Sequence, residues 1–369
     1  MFDGYYAGKR VLVTGHTGFK GGWLSLWLQE LGAEVTGLAL PPETSPNLHQ
    51  VIQPGTFAAE FDTDIRDAAA LQRDLKSAAP DFIFHLAAQS LVRRSYAEPG
   101  ETMRTNVLGT VNLLEAVRQL GRPVPVLIVT TDKCYENHGW DHGYRETDAL
   151  GGHDVYSASK AACEIAVAAW RRSFFQPDAN LGNLATARAG NVIGGGDYAA
   201  DRIVPDCVRS LARGEPIRVR NPRATRPWQH VLDCLSGYLW LGAKLAAAPK
   251  NSPLAGAFNF GPSLQANRDV RALVEEFLRH WPGRWVDASD PGAPHEAGRL
   301  HLAIDKAAAQ LGWQPTWEFA DAVRHTAAWY RQRHEQGDAP MRQFSRSQIA
   351  LFASEAAAKR QTWAGKGTF

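Results

Sequence analysis

Two short stretches of the sequence hold side chains suited to moving protons. TTDKCYEN, residues Thr130–Asn137, sets a hydroxyl (Thr131), a carboxylate (Asp132) and an amine (Lys133) side by side, directly after the apolar run VPVLIV. An unbroken apolar run of that kind predicts a strand buried on both faces. The three side chains then emerge at the carboxyl end of a sheet strand, the edge on which open α/β sheets bind ligands. DVYSASKAACE sets Tyr156 and Lys160 four residues apart, on one face if the segment is helical. A phenol with a pKa of about 10 is a poor base at neutral pH, and lowering it by about three units takes about 4 kcal/mol. An ammonium about 4 Å away supplies roughly that at an effective dielectric of about 20. Tyr156 could then take the proton of an alcohol while hydride leaves the same carbon, with Thr131 hydrogen-bonding the reacting oxygen. On its own the same pair is an ordinary surface Tyr and Lys.

A third stretch favours catalysis. VLVTGHTGFKGGWL places Gly15, Gly18 and Gly21, with Thr17 and Phe19 among them, between a strand and an amphipathic helix. Glycines at that junction let the backbone turn tightly and approach a pyrophosphate, which the free N–H groups of the helix amino terminus bind. The spacing is G-x-x-G-x-x-G, and it predicts a dinucleotide cofactor, NAD or NADP, with Lys160 placed to hold the nicotinamide ribose. The end of the second strand, LALPPET, offers neither a well-placed Asp nor an Arg; Glu43 is the acid nearby, so the choice between NAD and NADP stays open. In FDTDIRD, Asp64 and Ile65 are candidate adenine contacts. Asp64 reads equally well as a cap on the helix starting near Asp67.

The elements that must position these residues alternate. Strands are expected at KRVLVTG, AEVTGLAL, TFAAEFDTDI, FIFHLAA, VPVLIVTT and NLATARAGNVIG. Helices are expected over GGWLSLWLQELG and from about Asp67 to Lys76, Thr102 to Leu120 and Asp154 to Phe175. This order predicts an α/β fold, a Rossmann-type doubly wound parallel sheet with helices on both faces. From about Gly195 the rhythm breaks into short elements separated by RNPRATRP, APKNSPLAG and SDPGAPHEAG. Residues 1–194 therefore read mainly as the cofactor domain, and 195–334 as a smaller, irregular α+β substrate lobe to which the chain can cross and return. Residues 335–369 form an extension with one possible short helix, SQIALFASEAAAKR. Arg202, Arg223 and Arg226 come from the irregular lobe. An Arg fork suits a diphosphate, and Arg226, followed by PWQHV, is the preferred ligand. Trp23, Trp27 and Trp240, at helical spacing, read as core.

A net charge of +2, with Lys and Arg scattered among acids, gives no reason to expect nucleic acid or an anionic membrane as partner. The start of the chain lacks the pattern of a signal peptide. No stretch is long enough and free enough of charge to span a bilayer. Cys134, Cys163, Cys207 and Cys234 show no metal spacing and read as free thiols of a cytoplasmic protein.

Together TGHTGFKG, HLAAQSLV, TNVLGT, YSASK, RAGNVIGGGD and IDKAAAQLGWQP resemble the extended short-chain dehydrogenase/reductase family over about Gly8 to Tyr330. GHTGFKGGWLSLWLQELGAEVTG, AAQSLVRRSYAEP and DKCYEN look most like its nucleotide-sugar 4,6-dehydratases of the CDP-glucose branch. The resemblance implies C4 oxidation by Tyr156 and NAD, water loss across C5 and C6, and hydride return to C6, in the service of deoxysugar synthesis for surface polysaccharides. It implies that Leu86, Ala87 and Ala88 pass the nicotinamide ribose and phosphates, that Gln89 and Ser90 contact the hexose, and that Asn106 supports the strand ends. Asn191 and Arg202 would contact the nucleotide sugar. Related dehydratases carry an Asp-Glu pair, with the Asp as acid and the Glu as base. Here the pair is Asp132–Lys133, so either Lys133 is the base, or the roles are reversed, or Lys133 only pairs with Asp132; Tyr135 is a further candidate. A homodimer through helices 102–120 and 154–175 is implied. A 4-epimerase would use Tyr156 and the cofactor without the 132–133 pair, and a non-catalytic NAD-binding protein would show a broken catalytic set.

Overall fold

The computed structural model describes residues 1–52, 57–289 and 300–365. In chain order the first half gives β1 (Arg10–Thr14), α1 (Phe19–Glu30), β2 (Glu34–Ala39), α2 (Leu48–Ile52), β3 (Ala59–Asp62), α3 (Ala68–Ala78), β4 (Phe82–His85), α4 (Val92–Ala97), α5 (Pro99–Met103), α6 (Gly109–Arg118), β5 (Val126–Val129), α7 (Val155–Trp170) and β6 (Leu184–Arg188). The second half gives β7 (Val192–Ile193), α8 (Ile203–Ala212), β8 (Ile217–Val219), β9 (Thr225–Pro227), β10 (Gln229–His230), α9 (Val231–Ala247), β11 (Ala257–Asn259), β12 (Asn267–Asp269), α10 (Val270–His280), β13 (Trp285–Asp287), α11 (Asp305–Leu311), α12 (Phe319–Gln336) and α13 (Met341–Ala358).

Seven strands form one sheet in the order β11-β6-β5-β4-β1-β2-β3, every neighbour parallel. Parallel neighbours need crossovers, and these cover both faces. One face packs Leu71, Leu75, Leu113, Val117 and Val167 of α3, α6 and α7. The other packs Trp23, Trp27, Leu239 and Phe352 of α1, α9 and α13. Strands β4 and β5 are buried at every position, as their unbroken apolar runs require. Trp23, Trp27 and Trp240 are core, and all four cysteines are buried free thiols. Among the described residues no helix is long and apolar enough to cross a membrane.

Three expectations need correction. NLATARAGNVIG is not one strand: β6 ends at Arg188, Asn191 turns with φ +50, and β7 leaves to pair with β10. The seventh strand, β11, comes from beyond residue 195, and its three residues are too short for a periodic signal. The helix expected at 102–120 starts at Pro99 and passes through a π turn at Arg104–Leu108; a second π turn, Arg171–Phe175, follows α7. The tail helix is also longer than SQIALFASEAAAKR and begins at Met341. It is core: Trp363 stacks on Phe2 at 5.1 Å and meets Trp27 at 5.9 Å, and Phe2 N–H donates to Trp363 O at 2.7 Å.

A buried carboxylate ties α9 to the segment before α12. Asp233 Oδ1 accepts from Thr316 N–H at 2.6 Å and Trp317 N–H at 3.4 Å. Burial pushes its pKa up to about 7 against the opposing pull of those two donors. Because the folded pKa is raised, the favourable contribution of the protonated group is complete below an unfolded pKa of about 4 and is lost as pH rises through about 7. Asp233→Asn keeps the acceptor and removes the charge. Its melting temperature relative to the parent should climb between about pH 4 and about pH 7 and then level off, reaching on the order of 4 kcal/mol of relative stability. A difference that does not change with pH, followed by calorimetry, would show that Asp233 is not the titrating group.

Candidate active site

The glycine turn closes on itself and on β4. Gly15 has φ +74, and a Cβ there would lie 2.7 Å from Ala87 N; a Cβ on Gly21 would lie 2.1 Å from Gly15 O. Gly18 precedes α1 with its outer side clear except for Gly15 O at 3.4 Å. Thr14 Oγ1 accepts from Leu86 and Ala87 N–H, both at 3.2 Å, and Thr17 Oγ1 donates to Leu40 O at 3.0 Å. The first N–H groups of α1, beginning at Phe19, have no intrahelical acceptor, so the turn presents donors and a partial positive charge to an anion. Half-buried Ala87 and Ala88 leave room beside it. Glu43 is turned away toward Arg94, 2.6 Å from Nη1. Asp64 pairs with Arg66 rather than capping a helix; Asp67 caps α3. Ile65 is buried against Gly109, where a Cβ would come within 2.6 Å of Ile65 Cδ1.

Thr131, Asp132, Lys133, Tyr156 and Lys160 do converge. The Thr131 hydroxyl donates to Asp132 Oδ1 at 3.0 Å and lies close enough to Tyr156 to pull its phenol down. Asp132 is wholly buried. Its Oδ2 accepts from Asn191 Nδ2 at 3.2 Å, and Lys133 Nζ lies 3.6 Å from Oδ1. Lys133, with 31% of its side chain exposed, is the member of the pair that opens to solvent. Asn106 joins two loops: Oδ1 accepts from Gln89 N–H at 2.9 Å, and Nδ2 donates to Gln89 O and to Ser159 Oγ on α7. The Gln89 side chain is held by Thr102 and Leu91 N–H, so it braces the loop, while Ser90 is exposed. Arg202, at the start of α8, pairs with Asp197 at 2.7 Å, and its charge reaches Tyr156. Arg226 lies on β9, Nη1 donating to Thr225 O at 2.8 Å. Arg223 is exposed.

A buried network sets this constellation. Arg188 Nη2 pairs with Glu164 Oε2 at 2.8 Å, both side chains almost fully buried. Glu164 also accepts from Thr130 and Thr186 hydroxyls. Arg188 Nη1 donates to Tyr135 Oη at 2.7 Å, and Tyr135 donates to Asn259 Oδ1 at 2.7 Å. Tyr135 is therefore not a free proton handler: both its hydrogen-bonding roles are taken, and burial pushes its pKa well above the usual phenol range. Beneath β4, His85 bridges Thr14 and Thr110, its pKa pushed down to about 3 by burial first and then by Lys160.

The charge balance differs from that expected of a simple Tyr–Lys couple. Tyr156 is pushed up to about 12, by burial first, with Thr131 opposing and Asp132 adding to the rise. Burial outweighs the opposing pull of Thr131 and Arg202, so the chain alone does not activate the phenol. Burial also lowers Lys160, and among the described residues no carboxylate lies within ion-pair distance of its Nζ. Lys20, on the first turn of α1, is a residue the sequence reading passed over. It is lowered by burial, and it feels Arg202 and Lys133 as like charges and Asp132 as an opposite one. Its Nζ sits 5.9 Å from the Tyr238 ring centroid. The available signal was a lysine set among apolar residues in GFKGGW. Buried Lys160 and half-buried Lys20, with Lys133 and Arg202, concentrate positive charge at this end of the sheet, a field that favours anionic ligands.

The chain is similar to several known proteins. Residues 12–251 match the family model described as GDP-mannose 4,6 dehydratase. The chain is 43% identical over 332 residues to CDP-glucose 4,6-dehydratase of Salmonella typhimurium, covering 89% of this chain and 92% of that one. It is 28% identical to dTDP-glucose 4,6-dehydratase of Neisseria gonorrhoeae, covering 87% and 95%. Among solved structures, DesIV, a dTDP-glucose 4,6-dehydratase from Streptomyces venezuelae with NAD bound, superposes with a TM-score of 0.74 at 26% identity, covering 88% of this chain and 98% of that one.

Gly190 is a second residue the sequence reading did not single out. A Cβ there would fall 2.0 Å from Asp132 Cγ, so the carboxylate occupies the space a side chain would need. Gly190→Ala should move Asp132, and Lys133 with it. Displacements of about 1 Å at a reacting centre cost on the order of a hundredfold in turnover. Steady-state kinetics should show that loss in kcat with little change in melting temperature; an unaltered kcat would mean that the placement of Asp132 does not matter.

Proposed function

This chain belongs to the GDP-mannose 4,6-dehydratase family, and from that premise we propose that it converts CDP-glucose to CDP-4-keto-6-deoxyglucose with NAD as cofactor. The observation that carries the reading is the Thr131 hydroxyl, which donates to the Asp132 carboxylate and acts on the phenol of Tyr156. It supports a reading in which an alcohol-oxidising set and a proton-transfer pair share one site. A 4-epimerase needs the first and not the second. The preference for cytidine is supported by the 43% relative.

The glycine turn, Ala87, Ala88 and Lys160 fit the cofactor: Gly18 has no Cβ to obstruct a pyrophosphate, and among the described residues Lys160 is a buried donor with no carboxylate at ion-pair distance. When bound, NAD supplies a reversible hydride acceptor. Tyr156 takes the proton of the C4 hydroxyl while Thr131 holds that oxygen. Once C4 is a ketone, the C5 hydrogen is acidic. The Asp132–Lys133 pair removes it and protonates the departing C6 hydroxyl, so that water leaves. The hydride taken from C4 would be given back at C6 as a proton returns to C5, so the cofactor ends where it began and the sugar has lost one water overall. Lys133, the exposed member, is assigned the transfers at the sugar. Asp132, its oxygens buried and accepting from Thr131 and Asn191, orients it; this departs from the direct acid role that the family likeness suggests for Asp132. Gln89 acts through the loop it braces, and Asn191 through Asp132. Arg202 and Arg226 are proposed diphosphate ligands, with residues 195–334 mainly forming the substrate lobe.

We also infer a homodimer. Leu108, on the π turn before α6, and Ile165 on α7 are each more than half exposed, on the two helices expected to pair. Light scattering should give twice the 40.5 kDa chain mass, and Leu108→Glu with Ile165→Glu should halve it; a monomeric parent would refute this. A cytoplasmic location is supported by the four free thiols and is checked by cell fractionation.

Incubation with CDP-glucose should give a 4-keto product, detected by its alkaline ultraviolet absorbance. If CDP-, dTDP-, UDP- and GDP-hexoses all yield none, the reading is wrong, and an epimerised sugar would favour the epimerase. Lys133→Met should still oxidise C4 in a single turnover but release product about 10²–10⁴-fold more slowly, the range for loss of a general acid–base group. Release at the parent rate would remove Lys133 from the proton transfers.

A further inference from the structure

Away from the catalytic cavity, three metal-ligating side chains from three different elements meet beside the glycine turn. His16 lies in the turn itself, His49 on α2 and Glu60 on β3. Glu60 Oε1 is 3.0 Å from His16 Nε2 and 3.3 Å from His49 Nε2, and the three ligand atoms all lie within 4.8 Å of one another. A tetrahedral zinc with bonds of about 2.0–2.1 Å spaces its ligands by roughly 3.3–3.4 Å. Both measured spacings are within a few tenths of an ångström of that.

The position is built rather than incidental. Gly37, in the middle of β2, faces the His16 ring, and a Cβ there would lie 2.5 Å from Cδ2. The Phe57 ring walls the group on another side, its centroid 5.1 Å from His16 and 5.9 Å from His49. His16 is 3% exposed, His49 22% and Glu60 46%, so the group is closed at its base and open toward solvent at the carboxylate.

We propose that His16, His49 and Glu60 form a binding site for a divalent transition metal of the zinc class, with a fourth position open to water, fastening α2 and β3 to the dinucleotide turn. Two imidazoles and one carboxylate are a common zinc set. The proposal does not rest on the catalytic reading.

Untagged protein, stripped with a chelator, is titrated with zinc against a chromophoric chelator. One equivalent should bind, and binding should weaken by about tenfold or more in His49→Ala and in Glu60→Gln. Zinc should raise the parent's melting temperature by several degrees and leave both variants unmoved. Cobalt should give the visible bands of a tetrahedral site in the parent alone. Circular dichroism in chelator confirms that each variant is folded; if His49→Ala is not, Glu60→Gln carries the test. Equal zinc affinity in parent and variants, or no binding to the parent, overturns the site and leaves a hydrogen-bonded His–Glu–His brace.

Discussion

The buried ion pair between Glu164 and Arg188 is the constraint on which the candidate site depends. Taking two charges out of water is costly, and such a pair persists only where further hydrogen bonds complete it. Here Thr130, Thr186 and Tyr135 do so. The result fixes the register of α7 against the ends of β5 and β6. Adjacent residues of one strand end then grip the same helix at two heights, Thr130 at Glu164 and Thr131 at Tyr156. The turn carrying Asp132 and Lys133 is held from its far side by Tyr135, through Arg188 and Asn259 of β11. A strand from the second half of the chain thereby helps position chemistry that belongs to the first.

Over that scaffold the electrostatics are lopsided. Lys20, Lys133, Lys160 and Arg202 cluster near the strand ends, while Asp132 is buried and Asp197 is taken up by Arg202. Such a site gathers anionic ligands and suits two diphosphates, one from the cofactor and one from the sugar nucleotide. The phenol of Tyr156 is raised by burial in spite of that field, which pulls it down through Arg202.

Much of this was legible in the sequence. The glycine turn, the strand-end triplet and the Tyr156–Lys160 spacing are local patterns, and local patterns survive in a linear reading. So do the apolar runs of β1, β4 and β5, because strands buried on both faces cannot hide them. What failed was non-local or short. Strand β11 has three residues. The break at Asn191 rests on one positive φ. The Glu164–Arg188 pair joins residues 24 apart in the chain, and each reads on its own as a lone charge in an apolar stretch. Lys20 sits inside a motif read for its glycines, and Gly190 matters only because Asp132 folds against it. The tail read as a short helix because Trp363 has no pattern until it meets Phe2 and Trp27 across the whole chain.

The central claim is that one cavity both removes and returns the sugar's own hydrogen. It is tested most directly with CDP-glucose carrying deuterium at C4, incubated with the protein and NAD in ordinary water. The product should carry that deuterium at C6, transferred within a single molecule, with a solvent proton at C5. Deuterium remaining at C4, or lost to solvent, would contradict the account.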